Sequence, residues 1–201
     1  MALAVPPKNS EREFSILSAF QISQKDCQNL INLHKNSQNP QKQGRVIDDG
    51  SNVVNLSTRD VDVWVIHEDN IGVDELMLKA AIEANKSYDM QITGIIERPQ
   101  LLRYTAPSNG YDWHLDIGRG DASTRKISVS LLLNDDYEGG ELGFFSEKES
   151  FIRPETGMAV CFPAFMPHCV KPITKGERWS LVCWVGGCLL YTSPSPRDQE
   201  A

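Results

Sequence analysis

The first residues with the makings of chemistry are in Tyr111-Asp112-Trp113-His114-Leu115-Asp116. His114 and Asp116 are separated by one residue. On an extended strand, side chains at i and i+2 project from the same face. An imidazole and a carboxylate would then point together into whatever that face lines, which is two thirds of a mixed nitrogen-oxygen metal site. A third donor is available at His168, in Phe165-Met166-Pro167-His168-Cys169-Val170, where a later strand is expected to open. Two histidines and one carboxylate leave three positions open on an octahedral metal, a donor set that points to non-haem Fe(II) and O2 chemistry. Zinc on the same ligands, as in a metal hydrolase, fits them too. Ligand identity alone leaves both open.

Arg178 follows His168 in Lys171-Pro172-Ile173-Thr174-Lys175-Gly176-Glu177-Arg178. Pro172 and Gly176 suggest a hairpin that returns Arg178 on a neighbouring strand beside the metal. A guanidinium there can grip a carboxylate in a bidentate fork. A molecule that chelates iron at one end and carries a carboxylate at the other would fit, and 2-oxoglutarate has that form. Taken alone, Arg178 would read as a solvated strand residue. The zinc reading leaves it unexplained and offers no evident general base.

These residues need a scaffold that brings an early and a late strand together. From Gln91 onward, short β-rich runs alternate with turn signals: Ile92–Arg98, Gln100–Thr105, Tyr111–Ile117, Lys126–Leu133, Glu141–Phe145, Ser150–Arg153, Met158–Phe162, His168–Pro172 and Arg178–Val185. Many short strands at this spacing predict a mainly β fold, a sandwich, jelly roll or barrel. Two helices precede them and are expected to pack on one sheet. The first starts at Ser23, an N-cap with Asp26 three residues on. The second spans Gly72–Tyr88, with Val73, Leu76, Met77, Ala80, Ala81, Ala84 and Tyr88 at helical spacing. Glu13–Phe20 is an expected first strand and Val53–Ile66 another β-rich stretch. In the latter, Val61, Val63 and Val65 share one face, with Trp64 and Ile66 on the other. Asn36–Ser51, rich in Asn, Gln, Gly and Asp, reads as a mobile loop. His34 and His67 have no partner at ligand spacing and read as structural.

Composition narrows the function classes. The chain has 201 residues, 40% of them apolar, enough for one globular domain with a sizeable core. A net charge of −7 argues against nucleic acid or an anionic membrane surface as the main partner. No apolar run approaches the roughly 20 residues of a membrane-spanning helix, and Met1–Ser10 lacks the apolar core of a secretory signal. A cytoplasmic enzyme is the expectation. The five cysteines show no C-x-x-C pair and read as free, buried thiols. The end of the chain is different in kind. Cys188-Leu189-Leu190-Tyr191-Thr192-Ser193 reads as the translation of a transposon-end sequencing adapter, so residues 188–201 are expected to be a non-native tail.

With these stretches in hand, the sequence resembles the prolyl 4-hydroxylase-type Fe(II)/2-oxoglutarate-dependent oxygenases. The resemblance is carried by Leu102-Arg103-Tyr104, Gly110 through Asp116, Leu131-Leu132-Leu133-Asn134, Gly139-Gly140-Glu141-Leu142, and His168 through Leu181. It is specific over residues 90–186 and covers residues 12–89 only in general layout. It implies a double-stranded β-helix, a cupin-like jelly roll, with flanking N-terminal helices. Residues 12–89 would form its support and 90–187 its catalytic core, within one domain spanning 1–187. It implies iron held by His114, Asp116 and His168, and Arg178 on the distal carboxylate of 2-oxoglutarate. Tyr104 is similar in position to a family tyrosine of the cosubstrate pocket, though core packing would place a tyrosine there equally well. Tyr111 and Trp113 could line the substrate mouth or simply pack, and Trp184 is expected near the pocket floor. The implied cofactors are Fe(II), 2-oxoglutarate as cosubstrate, O2 and L-ascorbate as reductant. The implied reaction is hydroxylation of a C–H bond, first of all in a prolyl residue of a peptide or protein, with succinate and CO2 as coproducts. A hydroxylase of a free amino acid or small molecule, and a catalytically silent jelly roll that only binds, are the alternatives. The loops that would choose the substrate, Asn36–Ser51 and Ile117–Arg125, carry no readable code, and nothing fixes the oligomeric state.

Overall fold

The computed structural model describes residues 16–36, 42–44, 46–48, 51–53, 55, 58–67 and 70–187. The suspected foreign tail, residues 188–201, lies outside them, as do residues 13–15 of the expected first strand. In chain order the elements are β1 (Leu17–Gln21), α1 (Gln24–Asn36), β2 (Lys42–Gln43), β3 (Val46–Asp48), β4 (Ser51–Val53), β5 (Asp62–Val65), α2 (Ile71–Tyr88), β6 (Gly94–Ile95), β7 (Gln100–Thr105) and β8 (Tyr111–His114). After a 3-10 turn at Gly120–Thr124 come β9 (Arg125–Leu132), β10 (Glu138–Gly139), β11 (Leu142–Phe145), β12 (Glu149–Ile152), β13 (Met158–Pro163), β14 (His168–Val170), β15 (Ile173–Lys175) and β16 (Glu177–Gly186).

Two antiparallel sheets face each other. The larger runs β1-β13-β9-β16-β7-β5-β2, with β6 added at the end of β16. The smaller runs β12-β11-β14-β8. Strands distant in sequence lie side by side in both, the jelly-roll topology of a double-stranded β-helix. No helix among the described residues is long and apolar enough to cross a membrane.

The period-2 alternation of the larger sheet creates two separate cores. Leu101, Ile127, Val129, Leu131, Cys161, Leu181 and Cys183 point to one face and pack under the helices with Met77, Ala80, Ala81 and Ala84 of α2. Each such fully buried Leu or Val contributes roughly 1.5–3 kcal/mol. Tyr88, the last residue of α2, donates its hydroxyl to the Cys161 carbonyl at 2.9 Å and ties the helix to β13. Leu102, Tyr104, Leu132, Val160 and Phe162 point the other way and meet Leu142, Phe144 and Val170 of the smaller sheet. The expected alternation over residues 61–66 has the same origin, since Trp64 and Ile66 join the helix side while Val61 and Val63 join the inter-sheet core.

The cap at Ser23 forms as expected, its hydroxyl accepting from the Asp26 N–H at 3.2 Å and donating to the Asp26 carboxylate. Asn36–Ser51 departs from the expectation of a loop. Its described part holds β2, which extends the larger sheet beside β5, and β3, which pairs with β4 from Asp48 opposite Ser51. His34, at the end of α1, packs its ring against Trp64 and Trp179 at 5.3 and 5.0 Å, a structural role as expected. Cys27, Cys161, Cys169 and Cys183 are free and buried.

Candidate metal centre and anion pocket

His114 and His168 are brought together by the smaller sheet. They are register partners across β8 and β14, so their Cα atoms are fixed by a strand ladder. Their ring centroids lie 4.1 Å apart. Asp116 is placed differently from the sequence expectation. The strand ends at His114, and Asp116 sits in the bend that leaves it, so the i, i+2 strand argument does not hold. The carboxylate reaches the same point because its backbone N–H is captured by the Ala164 carbonyl at 3.0 Å, next to the turn that leads into β14. The ligand-type atoms of His114, Asp116 and His168 all lie within 4.8 Å of one another.

The hydrogen bonds around these residues fix their chemistry. His114 Nδ1 is 2.7 Å from the Asp112 carbonyl and His168 Nδ1 is 3.0 Å from the Met166 carbonyl. A carbonyl can only accept, so each neutral ring carries its proton on Nδ1 and turns an Nε2 lone pair outward. Those nitrogens lie 3.8 and 3.4 Å from the Asp116 carboxylate oxygens. Metal-ligating histidines are usually anchored in this way, with the second ring nitrogen held by the protein. Burial, followed by the neighbouring His168, pushes the His114 pKa down to about 3, so the ring is neutral and a competent ligand near neutrality. For Asp116, burial opposes the charge, but His168, His114 and hydrogen bonds from Ser128 and Trp184 outweigh it and hold the carboxyl below its ordinary value. Ser128 donates to Asp116 Oδ2 at 2.5 Å. The three side chains together are a donor set that fits Fe(II).

Beside this cluster opens a pocket of about 500 Å³, its mouth included. Its walls include Tyr104, Tyr111, Ser130, Phe162, Arg178 and Trp184. Arg178 is only 2% exposed. It reaches the pocket from β16 of the larger sheet, which faces β14 rather than pairing with it. The expected hairpin onto a neighbouring strand is therefore corrected. Pro172 through Gly176 instead cross from one sheet to the other, with β15 pairing to β10 on the way. Arg178 Nε donates to the Gly140 carbonyl at 3.0 Å and one terminal nitrogen donates to Ser180 Oγ at 3.1 Å. Among the described residues no carboxylate pairs with it. The Gly139-Gly140 pair makes this approach possible. Both have positive φ, and a Cβ on Gly140 would come within 2.9 Å of Arg178 Cδ.

Tyr104 is the register partner of Arg178 on β7 and is 1% exposed, with the guanidinium 5.7 Å from its ring centre. It both packs and lines the pocket. Tyr111 lines the pocket as well, stacked on the His114 ring at 3.5 Å between centroids. Trp113 packs instead against Phe145 and Phe151 and does not line it. Sequence reasoning missed Ser128 and Ser130, and it missed Arg59, whose guanidinium covers Tyr111 at 4.8 Å. The two serines had a legible signal: they alternate with Ile127, Val129 and Leu131 on a buried strand, so one face of that strand had to be polar.

Residues 99–186 match the model of the 2OG-Fe(II) oxygenase superfamily. A PKHD-type hydroxylase of Synechococcus sp. (strain CC9902) is 36% identical over 88 residues, 42% of this chain and 40% of that protein. One from Synechococcus sp. (strain JA-2-3B'a(2-13)) is 31% identical over 133 residues, 63% of this chain and 58% of that protein. The chain thus spans about half the length of these curated relatives. Among solved structures, a Pseudomonas putida prolyl-4-hydroxylase superposes with a TM-score of 0.65 at 20% identity, covering 87% of this chain and 92% of that one. A Trichoplax adhaerens prolyl hydroxylase bound to a hypoxia inducible factor peptide fragment gives 0.63 at 22%, covering 88% and 84%. The matched segment, residues 99–186, contains β7 through β16 and with them His114, Asp116, His168 and Arg178, so the similarity to the 2OG-Fe(II) oxygenase superfamily falls on the strands that carry the site.

Proposed function

We propose that the protein is an Fe(II)- and 2-oxoglutarate-dependent dioxygenase, one domain over residues 1–187, that hydroxylates a C–H bond of a prolyl or other residue in a peptide. One observation carries the reading. A buried arginine with no carboxylate partner among the described residues shares a pocket with two histidines and an aspartate within 4.8 Å of one another. An uncompensated cation at that depth is costly, and an anionic ligand offsets the cost. A binding module without turnover has no physical need for both features at once.

In this reading His114, Asp116 and His168 hold the iron. When bound, the metal supplies O2 activation coupled to decarboxylation of 2-oxoglutarate to succinate and CO2. The rest belongs to the chain. Arg178 binds and orients the distal carboxylate through the donors left after Gly140 and Ser180. Tyr104, with its hydroxyl proton retained because burial raises its pKa, offers a further polar contact on the same wall. Phe162, Leu142 and Val182 exclude water from the pocket. A peptide substrate is supported by the fold shared with the peptide-bound Trichoplax enzyme. Ascorbate would serve to return over-oxidised iron to the ferrous state.

The test is succinate formation with Fe(II), 2-oxoglutarate and ascorbate across prolyl peptides, other peptides and free amino acids. Peptide-stimulated succinate is the expected result. Absence of any 2-oxoglutarate turnover with any substrate overturns the enzyme reading, and stimulation by free amino acids alone overturns the peptide reading.

A further inference from the structure

Asp116 is the one candidate ligand that no strand ladder holds, so something else must fix it. Its backbone N–H is taken by Ala164. Its backbone carbonyl accepts from a terminal nitrogen of Arg125 at 3.0 Å. Arg125 is itself locked, because its Nε and other terminal nitrogen donate to the two carboxylate oxygens of Glu97, both at 2.6 Å. The guanidinium face then lies over the Trp184 ring, 3.9 Å from its centre. Trp184 in turn lines the same pocket as Asp116 and helps hold its carboxyl below the ordinary value. The Arg125 and Glu97 side chains are 15% and 28% exposed, largely screened from solvent competition.

We propose that the Glu97–Arg125 pair is a positioning device for Asp116: it holds the backbone carbonyl directly and the carboxylate through the stacked Trp184, and so sets metal affinity without touching the metal. This rests on the oxygenase reading, since it assigns Asp116 as a ligand. Arginine is required because three roles are filled at once: a bidentate fork on Glu97, a third donor to the Asp116 carbonyl, and a flat face for the indole. A lysine ammonium has neither the planar fork that matches the Glu97 carboxylate nor a flat face for the indole. Outer partners of metal ligands of this kind typically govern affinity by about 10–100-fold.

The experiment measures Co(II) and Mn(II) affinity of the metal-free full chain by calorimetry, together with the visible Co(II) spectrum and the melting curve of the metal-free protein. Arg125→Ala is expected to weaken metal binding by about 10–100-fold and Glu97→Gln by about tenfold. Arg125→Lys should behave like Arg125→Ala rather than like wild type, and the Co(II) bands should shift in each variant. A role in packing alone would lower the melting temperature and leave the affinity and spectrum of the folded protein unchanged. Wild-type affinity and spectrum in folded Arg125→Lys and Glu97→Gln therefore overturn the proposal, even where Arg125→Ala fails to fold. Wild-type protein that binds neither metal overturns the oxygenase reading itself, and the positioning role with it.

Discussion

On β16, Trp179, Leu181, Cys183 and Val185 face the helices, while Arg178, Ser180, Val182 and Trp184 face the pocket. On β9 the split is Ile127, Val129 and Leu131 against Ser128 and Ser130. The same backbone thus builds two environments under opposite rules. The helix side is apolar, closely packed and stabilising. The pocket side buries Arg178, Ser128, Ser180, His168 and Asp116, groups whose desolvation costs free energy unless each is partnered. Stability is concentrated on one face so that the other can hold polar groups poised for a ligand, and substitutions on the two faces should therefore differ in kind.

The largest contrast comes from the ligands. His168→Ala or Asp116→Ala should abolish succinate production, while the metal-free protein stays folded, because neither residue belongs to the helix-side core. Residual turnover at the wild-type rate in either would remove that residue from the iron site. Next in size is the exchange of one residue on each face of β16. Leu181→Ala opens a cavity under α2 and should cost about 2–5 kcal/mol of stability, with the 2-oxoglutarate KM of the folded fraction unchanged. Arg178→Met should do the reverse. Replacing a buried, unpaired charge by an apolar side chain of similar reach should stabilise the metal-free protein by up to about 1–4 kcal/mol, while the protection that 2-oxoglutarate gives against denaturation disappears. Equal destabilisation by both variants in urea titrations would erase the distinction between the faces.

Acid should also act through the pocket face. His114 titrates near 6.5 in an unfolded chain but at about 3 in the fold, and Asp116 is held below its ordinary 3.8. In each case the unfolded chain binds the proton more readily, so stability rises with pH across the interval. The His114 contribution is complete above about pH 6.5 and is lost as pH falls toward 3, and the Asp116 contribution is lost below 3.8. Metal-free protein should therefore lose stability steadily from pH 7 to pH 4. His114→Phe should flatten that slope, and an unchanged slope in the variant would place the acid sensitivity elsewhere.

The β core was legible because its strands alternate strictly and are separated by Gly, Pro and Asn-Asp signals. Gln100–Thr105 is matched in full, and α2 begins one residue earlier than its apolar stripe suggests. The ligand residues were legible through their types and order. What the sequence hid were long-range placements. Asp116 looked like a strand residue, because nothing local shows that Ala164 captures its N–H. Arg178 looked like the far side of a hairpin, because local turn signals do not reveal which sheet the chain joins next. Glu97 and Arg125 lie 28 residues apart and meet only after β7 and β8 have been laid down between them. The short strands around residues 42–53 were hidden by the Asn, Gln, Gly and Asp of this stretch, which read as loop.

The smallest effect expected on the pocket face is that of Ser128→Ala, and it isolates a single hydrogen bond. The Ser128 hydroxyl donates to Asp116 Oδ2 at 2.5 Å, one of the interactions that hold this carboxyl below its ordinary value. Removing it leaves Trp184 and both histidines in place, so the carboxylate keeps most of its support. A hydrogen bond to a charged group is worth about 1.5–3 kcal/mol net, and an outer-sphere deletion at the low end of the usual range lowers metal affinity about tenfold. The sign of the accompanying pH effect follows directly. Loss of a donor to the charged form raises the Asp116 pKa, so protons compete with the metal at higher pH and the acid limb of Co(II) binding should move upward. Ser130→Ala, which alters the same pocket wall two residues along the strand, should leave that limb in place. A shift of equal size in both variants would show that the limb reports general pocket polarity rather than the Ser128 bond.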